Sequence, residues 1–397
     1  MKKRKAKSSL FVATVTSITM LTGCVGGVAD KSVGTTSADG GSENAFKPDS
    51  TNVMSLGRTY YKDGKLWCAW SGSGAAFRFS GTKAEITITG DSSAIRPSAE
   101  NKARIAIYAD GKLIVDDIID RSEKKYTVFE NESVVDSEVR VVKLSESAMS
   151  TFAIKEIYVE SESDVPVSPV AQKPYYIEFV GDSITCGYGV DDEVKDHHFS
   201  TETENVTKSY AYLTAEKLNA DYSMVSISGY GIISGYSDDG QKKTPDDIVT
   251  KYYKTLGYSV AGFANEKPAD IQWDFSKRQP DIVVINLGTN DDSYCGNDPA
   301  RKAEFTAAYV DFLKTVRECN PKAHIVCSLG IMGTRLYPAV EEAYVNYSKE
   351  TGDEKITVYR FDPLDGSLGY AADWHPSAAT HQKAAEGFAE ELRKYLE

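Results

Sequence analysis

Five short runs in the second half of the chain, YYIEFVG (175–181), YSMVSIS (222–228), DIVVINLG (281–288), HIVCSLG (324–330) and ITVYRFD (356–362), do most to limit what it can fold into. Most are continuously apolar. A strand apolar on both faces has to be covered on both faces, which is the condition of a parallel sheet flanked by helices. The segments between the runs carry helical period. In 299–319, Phe305, Tyr309, Phe312 and Val316 fall on one face, and after HPS the residues Ala385, Phe388 and Leu392 do the same, with Ser377 as N-cap. Strand and helix in alternation predict a doubly wound α/β domain over residues 175–397. Ligands of such sheets bind outside the carboxyl ends of the strands.

Residues 51–162 follow a different rule. AAFRFSG, AEITITG, RIAIYADGKLIV, EVRVVKL and FAIKEIYVE alternate apolar with polar, and Asp110-Gly111 between two such runs marks a hairpin. No convincing helix interrupts them, so this part is expected to be a β-sandwich of jelly-roll type. Residues 163–174, with Pro166, Pro169 and Pro174, are expected to be the linker between the two domains.

The N-terminus limits location and partners. Residues 1–23 hold five basic residues and no acid, then an apolar run too short to span a bilayer, ending in Leu-Thr-Gly before Cys24. They read as an export signal, and the ending resembles a bacterial lipobox in which Cys24 is lipidated; an ordinary secretory signal is the alternative. Residues 24–50 are rich in Gly, Ser, Thr and Asp and are expected to be an unfolded tether. The expected location is extracytoplasmic, on a lipid anchor in the bacterial membrane. With five positive charges set aside, the formal net charge of −13 becomes −18 from residue 24 onward. That surface repels phosphate backbones, which argues against a nucleic-acid partner and for a neutral substrate. Beyond Cys24 the cysteines are Cys68, Cys186, Cys295, Cys319 and Cys327, an odd number without metal-ligand spacing, so at least one thiol is free.

The chemistry gathers at strand ends. The first run stops in Gly181-Asp182-Ser183, and a serine hydroxyl needs a base to remove its proton and donors in place for the oxyanion formed on attack. Asn290 stands just past the third run and Gly229 just past the second. Of five histidines, His197 and His198 lie in a polar stretch, His324 opens a strand and His381 follows a helix start; His375 remains, on the loop before the last helix. Asp182 and Asp291 read as loop-fixing residues, while Tyr188, Tyr230 and Tyr294 are candidates to line a cleft. Trp67 and Trp70 favour the β core over a sugar platform.

These blocks, Gly181-Asp182-Ser183, Gly229, Gly288-Thr289-Asn290-Asp291 and Asp373-Trp374-His375-Pro376, resemble in order those of the SGNH (GDSL) hydrolases. Together with the N-terminal jelly roll, the wordings GDSITCGYGV, WDFSKRQPDIVVINLGTND and DWHPS resemble carbohydrate esterase family 2 over about residues 55–397. The resemblance implies a flavodoxin-like, SGNH-type parallel sheet behind the β-sandwich. It also implies an O-acetyl esterase acting on plant cell-wall polysaccharides such as xylan or glucomannan. Ser183 would be the nucleophile and His375 the base and then the acid, with the Ser183 and Gly229 amides and the Asn290 side chain holding the oxyanion. No metal or organic cofactor is required.

One position departs from the pattern. Most of the superfamily has the triad aspartate three residues before the histidine, where this chain has Ala372; Asp373 stands two before it. In some family members a main-chain carbonyl at that position orients the imidazole, and the resemblance implies the same of the Asp373 backbone, with a role for its side chain as the alternative. Trp374 is a candidate sugar platform or a core wedge. Two other readings stay open: a lysophospholipase or short-chain lipase of the same superfamily, and a surface lipoprotein that binds carbohydrate without catalysis.

Overall fold

The computed structural model describes residues 44–263 and 265–396. The export signal, Cys24 and most of the expected tether lie outside them. From Ser42 onward the chain forms one compact unit. It contains a ten-stranded sheet whose pairings are all antiparallel and a five-stranded parallel one.

Two long strands, Gly74–Gly90 and Glu123–Lys143, carry the antiparallel sheet. Their pairing shifts register between Gly81 and Lys83 and again between Ala84 and Glu85. Such irregularities bend a strand and increase its twist. Phe77 and Phe79 before the bend and Ile86 and Ile88 after it accordingly enter one core, with Ile105, Ile107, Val139 and Phe152. The sheet curls around that core.

Two expectations at its edges need correction. Within the expected tether, Ala45–Phe46 is a strand paired with Tyr158 and Ile157, because Phe46, the one aromatic residue of that stretch, packs against the β core. Within the expected linker, Val167–Pro169 pairs with Phe77–Phe79, and Val167 is buried. At a sheet edge proline costs little, since its missing donor would face outward.

The parallel strands are β1 (Tyr175–Gly181), β2 (Ala220–Ser226), β3 (Ile282–Asn286), β4 (His324–Leu329) and β5 (Ile356–Arg360), in the order β2-β1-β3-β4-β5. This is the flavodoxin-like order, whose switch point lies between β1 and β3. The helices are α1 (Ser183–Cys186), α2 (Tyr210–Lys217), α3 (Thr289–Cys295), α4 (Pro299–Cys319), α5 (Tyr337–Thr351) and α6 (Ala378–Arg393). Alternate residues of β3 face opposite sides, as a strand's period of two requires. Val283 and Ile285 join α4 and α5 in one core, and Ile282 and Val284 join α2 and α6 in another. Phe305, Tyr309, Phe312 and Val316 are buried in the first, while Ala385, Phe388 and Leu392 are buried behind Ser377, which accepts from Thr380 N.

The two sheets are joined by buried polar contacts. Arg58 makes an ion pair of 2.9 Å with Glu178 in the middle of β1 and donates to the carbonyls of Tyr253 and Thr255. Val206 N donates to Leu144 O, and Thr151 Oγ1 to Gly262 O. Trp67 and Trp70 are buried, Trp70 within the α/β core. The other five cysteines are free thiols.

Candidate active site

The pairing places four strand ends level. Gly181 stands opposite Ser226 and Asn286, and Asn286 opposite Ser328. Ser183, Gly229 and Asn290 follow within a few residues, so all three lie along the carboxyl edge. At Gly181 an added Cβ would come within 2.0 Å of Thr185 Oγ1; strand and helix can turn this tightly only over glycine.

Ser183 opens α1 and is 6% exposed. The carboxylate of Asp182, fully buried, caps that helix by accepting from Ile184 N at 3.0 Å. Burial pushes the Asp182 carboxyl up to about 7. The Ser183 Oγ lies 2.9 Å from Nε2 of His375. On the other side of the imidazole, Nδ1 is 3.2 Å from both Ala372 O and Asp373 O. Two carbonyls can only accept, so the proton is assigned to Nδ1, leaving the Nε2 lone pair facing the serine hydroxyl. Among the described residues no carboxylate hydrogen-bonds to this ring. Burial pulls the His375 imidazole down to about 4, against the lesser lift from those carbonyls.

The carbonyls can face the ring because the backbone turns left-handed twice, with φ of 49° at Asp373 and 62° at Trp374. Non-glycine residues in that region cost about 1–2 kcal/mol each, so something has to hold them. Asp373 N donates to His197 O and Trp374 N to Lys195 O. The Asp373 carboxylate faces away from the imidazole. It accepts from Tyr188 Oη at 2.6 Å and Phe199 N at 3.0 Å, and pairs with His198 Nδ1 at 2.9 Å. Tyr188 in turn lies flat on the His375 ring, with centroids 3.9 Å apart and planes at 18°. Trp374 is 49% exposed, and the Lys195 ammonium stands 3.9 Å over its ring.

Asn290 ties together the loops that follow β1 and β2. Its amide donates to Tyr230 O at 2.9 Å, beside Gly229, and lies 3.5 Å from Asp182 Oδ2, beside Ser183. Gly229 has φ of +79°, a conformation that favours glycine. The loop after it is held by Asp291, whose carboxylate accepts from Ile232 N, Ile233 N and Ser234 N. Burial lifts that carboxyl to about 6. Asp182 and Asp291 thus hold loops, as their sequence positions suggest. Tyr188 and Tyr230 adjoin the site, while Tyr294 instead stacks under Arg301.

The antiparallel sheet also reaches this edge, through a residue without any local sequence signal. Glu146 accepts from Ser228 N at 3.1 Å and donates its own N–H to Glu204 Oε2 at 2.8 Å. Donor atoms of Glu146, Glu204 and Cys186 lie within 4.8 Å of one another, the one such group among the described residues that could hold a metal ion. The buried ammonium of Lys143, bound to the Ser145 and Glu146 carbonyls, already brings a positive charge there. Burial raises both carboxyls, which favours their protonated forms over the doubly charged pair a metal would need.

Comparison with known proteins adds a second line of observation. Residues 179–383 match the GDSL-like lipase/acylhydrolase family, and residues 55–169 match the carbohydrate esterase 2 N-terminal family. A cellulase/esterase of Acetivibrio thermocellus is 33% identical over 361 residues, covering 89% of this chain; the chain spans 41% of that protein's length. An acetylxylan esterase / glucomannan deacetylase of Cellvibrio japonicus is 24% identical over 359 residues, 90% of this chain and 92% of that protein. Among solved structures, a family two carbohydrate esterase from Clostridium thermocellum in complex with cellohexaose has 31% identity and a TM-score of 0.73, over 87% of this chain and 99% of the other.

Proposed function

Because this chain belongs to carbohydrate esterase family 2 of the GDSL-like hydrolases, we propose that it removes O-acetyl groups from plant cell-wall polysaccharides of the xylan or glucomannan type by a Ser183–His375 dyad. His375 Nε2 takes the Ser183 proton as Oγ adds to the acetyl carbonyl. The resulting oxyanion is held by the Ser183 and Gly229 N–H groups and the Asn290 amide. Collapse expels the sugar oxygen, which receives the proton from His375, and leaves an acetyl-serine. Water, deprotonated by the same imidazole, then releases acetate. In place of a triad aspartate, the Ala372 and Asp373 carbonyls hold Nδ1–H and keep the tautomer.

The observation that carries this reading is the 2.9 Å contact from Ser183 Oγ to an imidazole whose far nitrogen is bound by carbonyls alone. The names of the relatives support acetylated xylan or glucomannan as the substrate class. Exposed Trp374, next to the base, offers an aromatic surface to a sugar ring. The basic and then apolar segment before Cys24 supports a place outside the cytoplasm on a lipid anchor.

Acetate release from acetylated xylan, acetylated glucomannan and an acetylated hexose, measured side by side with wild type and Ser183→Ala, tests the proposal. Wild type is expected to release acetate and the variant to fall to background. Equal rates would remove the serine from the mechanism, and faster cleavage of an octanoyl than an acetyl ester would replace the acetyl substrate by a lipid one.

A further inference from the structure

In a dyad the imidazolium formed during proton transfer has no carboxylate beside it, so the groups packed on the ring acquire weight. Ser183 meets it from α1, and the Ala372 and Asp373 carbonyls from its own turn. The remaining contact is Tyr188, from the segment after α1, whose ring covers the imidazole face at 3.9 Å. The charged and titratable groups nearby are Asp373 with its partner His198, beyond that phenol, buried Glu146 and Glu204, which also act on Tyr188, and buried His381 of α6. His381 is pulled down by burial and stays neutral.

The geometry points to Tyr188 and Asp373 as a coupled positioning pair for His375. The Asp373 carboxylate fixes and polarises the phenol, and the phenol ring stabilises the imidazolium lying flat against it. A cation over an aromatic face is attracted by the ring's electron density, and a phenol donating to a carboxylate at 2.6 Å has more of that density to offer. Both partners keep the required form. Burial lifts the Asp373 carboxyl, but the bonds from Tyr188, His198 and Phe199 N outweigh it and leave the group below its ordinary value. Burial and the same carboxylate raise the Tyr188 phenol, so it remains a donor. Phe199, tilted against the far side of Tyr188 at 4.7 Å, keeps that ring in place. The arrangement assigns the Asp373 side chain a role at one remove from the imidazole.

The inference rests on the dyad reading, but its primary test needs no substrate. The pKa of His375 would be followed by NMR titration in full-length wild type, Tyr188→Phe, Asp373→Asn and the double variant. Asparagine tolerates the left-handed backbone and still accepts from Phe199 N, and phenylalanine keeps the stacked face, so the fold is expected to persist; circular dichroism and thermal midpoints check this. Each single variant is expected to lower the His375 pKa, and the double variant to lower it by clearly less than the sum of the two, because both changes remove the same link while the Asp373 charge also acts on the ring directly. In parallel, kcat/KM on 4-nitrophenyl acetate is expected to fall roughly two- to fivefold in each, a part of one cation–π contact, since the stacked face itself remains. An unmoved pKa in Asp373→Asn, or an equal shift from it with Tyr188 already replaced, would overturn the pair. Failure of wild type to hydrolyse any acetyl ester would sink the esterase reading and leave the titration result standing.

Discussion

Replacing Asn290 with alanine separates catalytic from structural work at this edge, because the side chain does both. Its Nδ2 carries two hydrogens, and one is committed to Tyr230 O at 2.9 Å. Alanine leaves that part-buried carbonyl without its partner, which costs about 1 kcal/mol of folding stability, the low end for an unpaired group. The second hydrogen is directed at Asp182 Oδ2 over a long 3.5 Å, a contact weak enough for a developing oxyanion to replace. Loss of one such donor costs about 2.7–4 kcal/mol of transition-state stabilisation, a fall of roughly 10²–10³ in kcat. Since the donor acts on charge absent from the bound substrate, KM should change little. Initial rates on 4-nitrophenyl acetate across a substrate series give kcat and KM separately, and urea unfolding gives the stability change. A variant that loses the expected stability yet keeps kcat within threefold of wild type would show Asn290 to be a loop brace only, and the oxyanion would have to be held by the two main-chain amides alone.

Other consequences concern pH and the junction between the sheets. Burial draws His375 down to about 4, so the neutral, base-competent imidazole persists below the usual histidine range. The kcat/KM profile is expected to stay level through pH 6.5 and decline as pH falls toward 4; an acid limb centred at or above 6.5 would contradict the burial argument. At the junction, Arg58→Met leaves the Glu178 carboxylate buried and unpaired, with an expected loss of about 3–5 kcal/mol by urea denaturation. The double variant Arg58→Met/Glu178→Leu should recover the part due to the unpaired carboxylate but not the bonds to the Tyr253 and Thr255 carbonyls, and a double variant as unstable as the single one would mean that the unpaired charge contributes little.

The extent to which this molecule could be read in advance follows from what each pattern reports. Continuous apolar runs and helical spacing are statements about one segment's own burial, so the parallel sheet, α4 with its buried Phe305 face, and the Ser377 cap of α6 were legible. Ser183, Gly229, Asn290 and His375 were legible as candidates because each follows a strand in a sheet whose carboxyl edge collects ligands. Phe46 was missed, since a single aromatic in a polar stretch has no period. Val167 was missed because prolines beside it resemble a linker, though an edge strand accepts them. Glu146 had no signal at all: it lies 82 positions from the amide it accepts from.

By itself, then, the sequence determined the two kinds of sheet, the order of the helices and which few side chains could do acyl chemistry, because those properties are written in local period and residue type. Only the tertiary structure decided that the Ala372 carbonyl joins that of Asp373 on the imidazole through a left-handed turn, that Tyr188 lies on its face, and that the Asp373 carboxylate bonds to Tyr188, His198 and Phe199 N instead of the ring. Those outcomes depend on backbone φ and on contacts between residues far apart along the chain, as with Tyr188 and Asp373, 185 positions apart. No local pattern encodes such a separation.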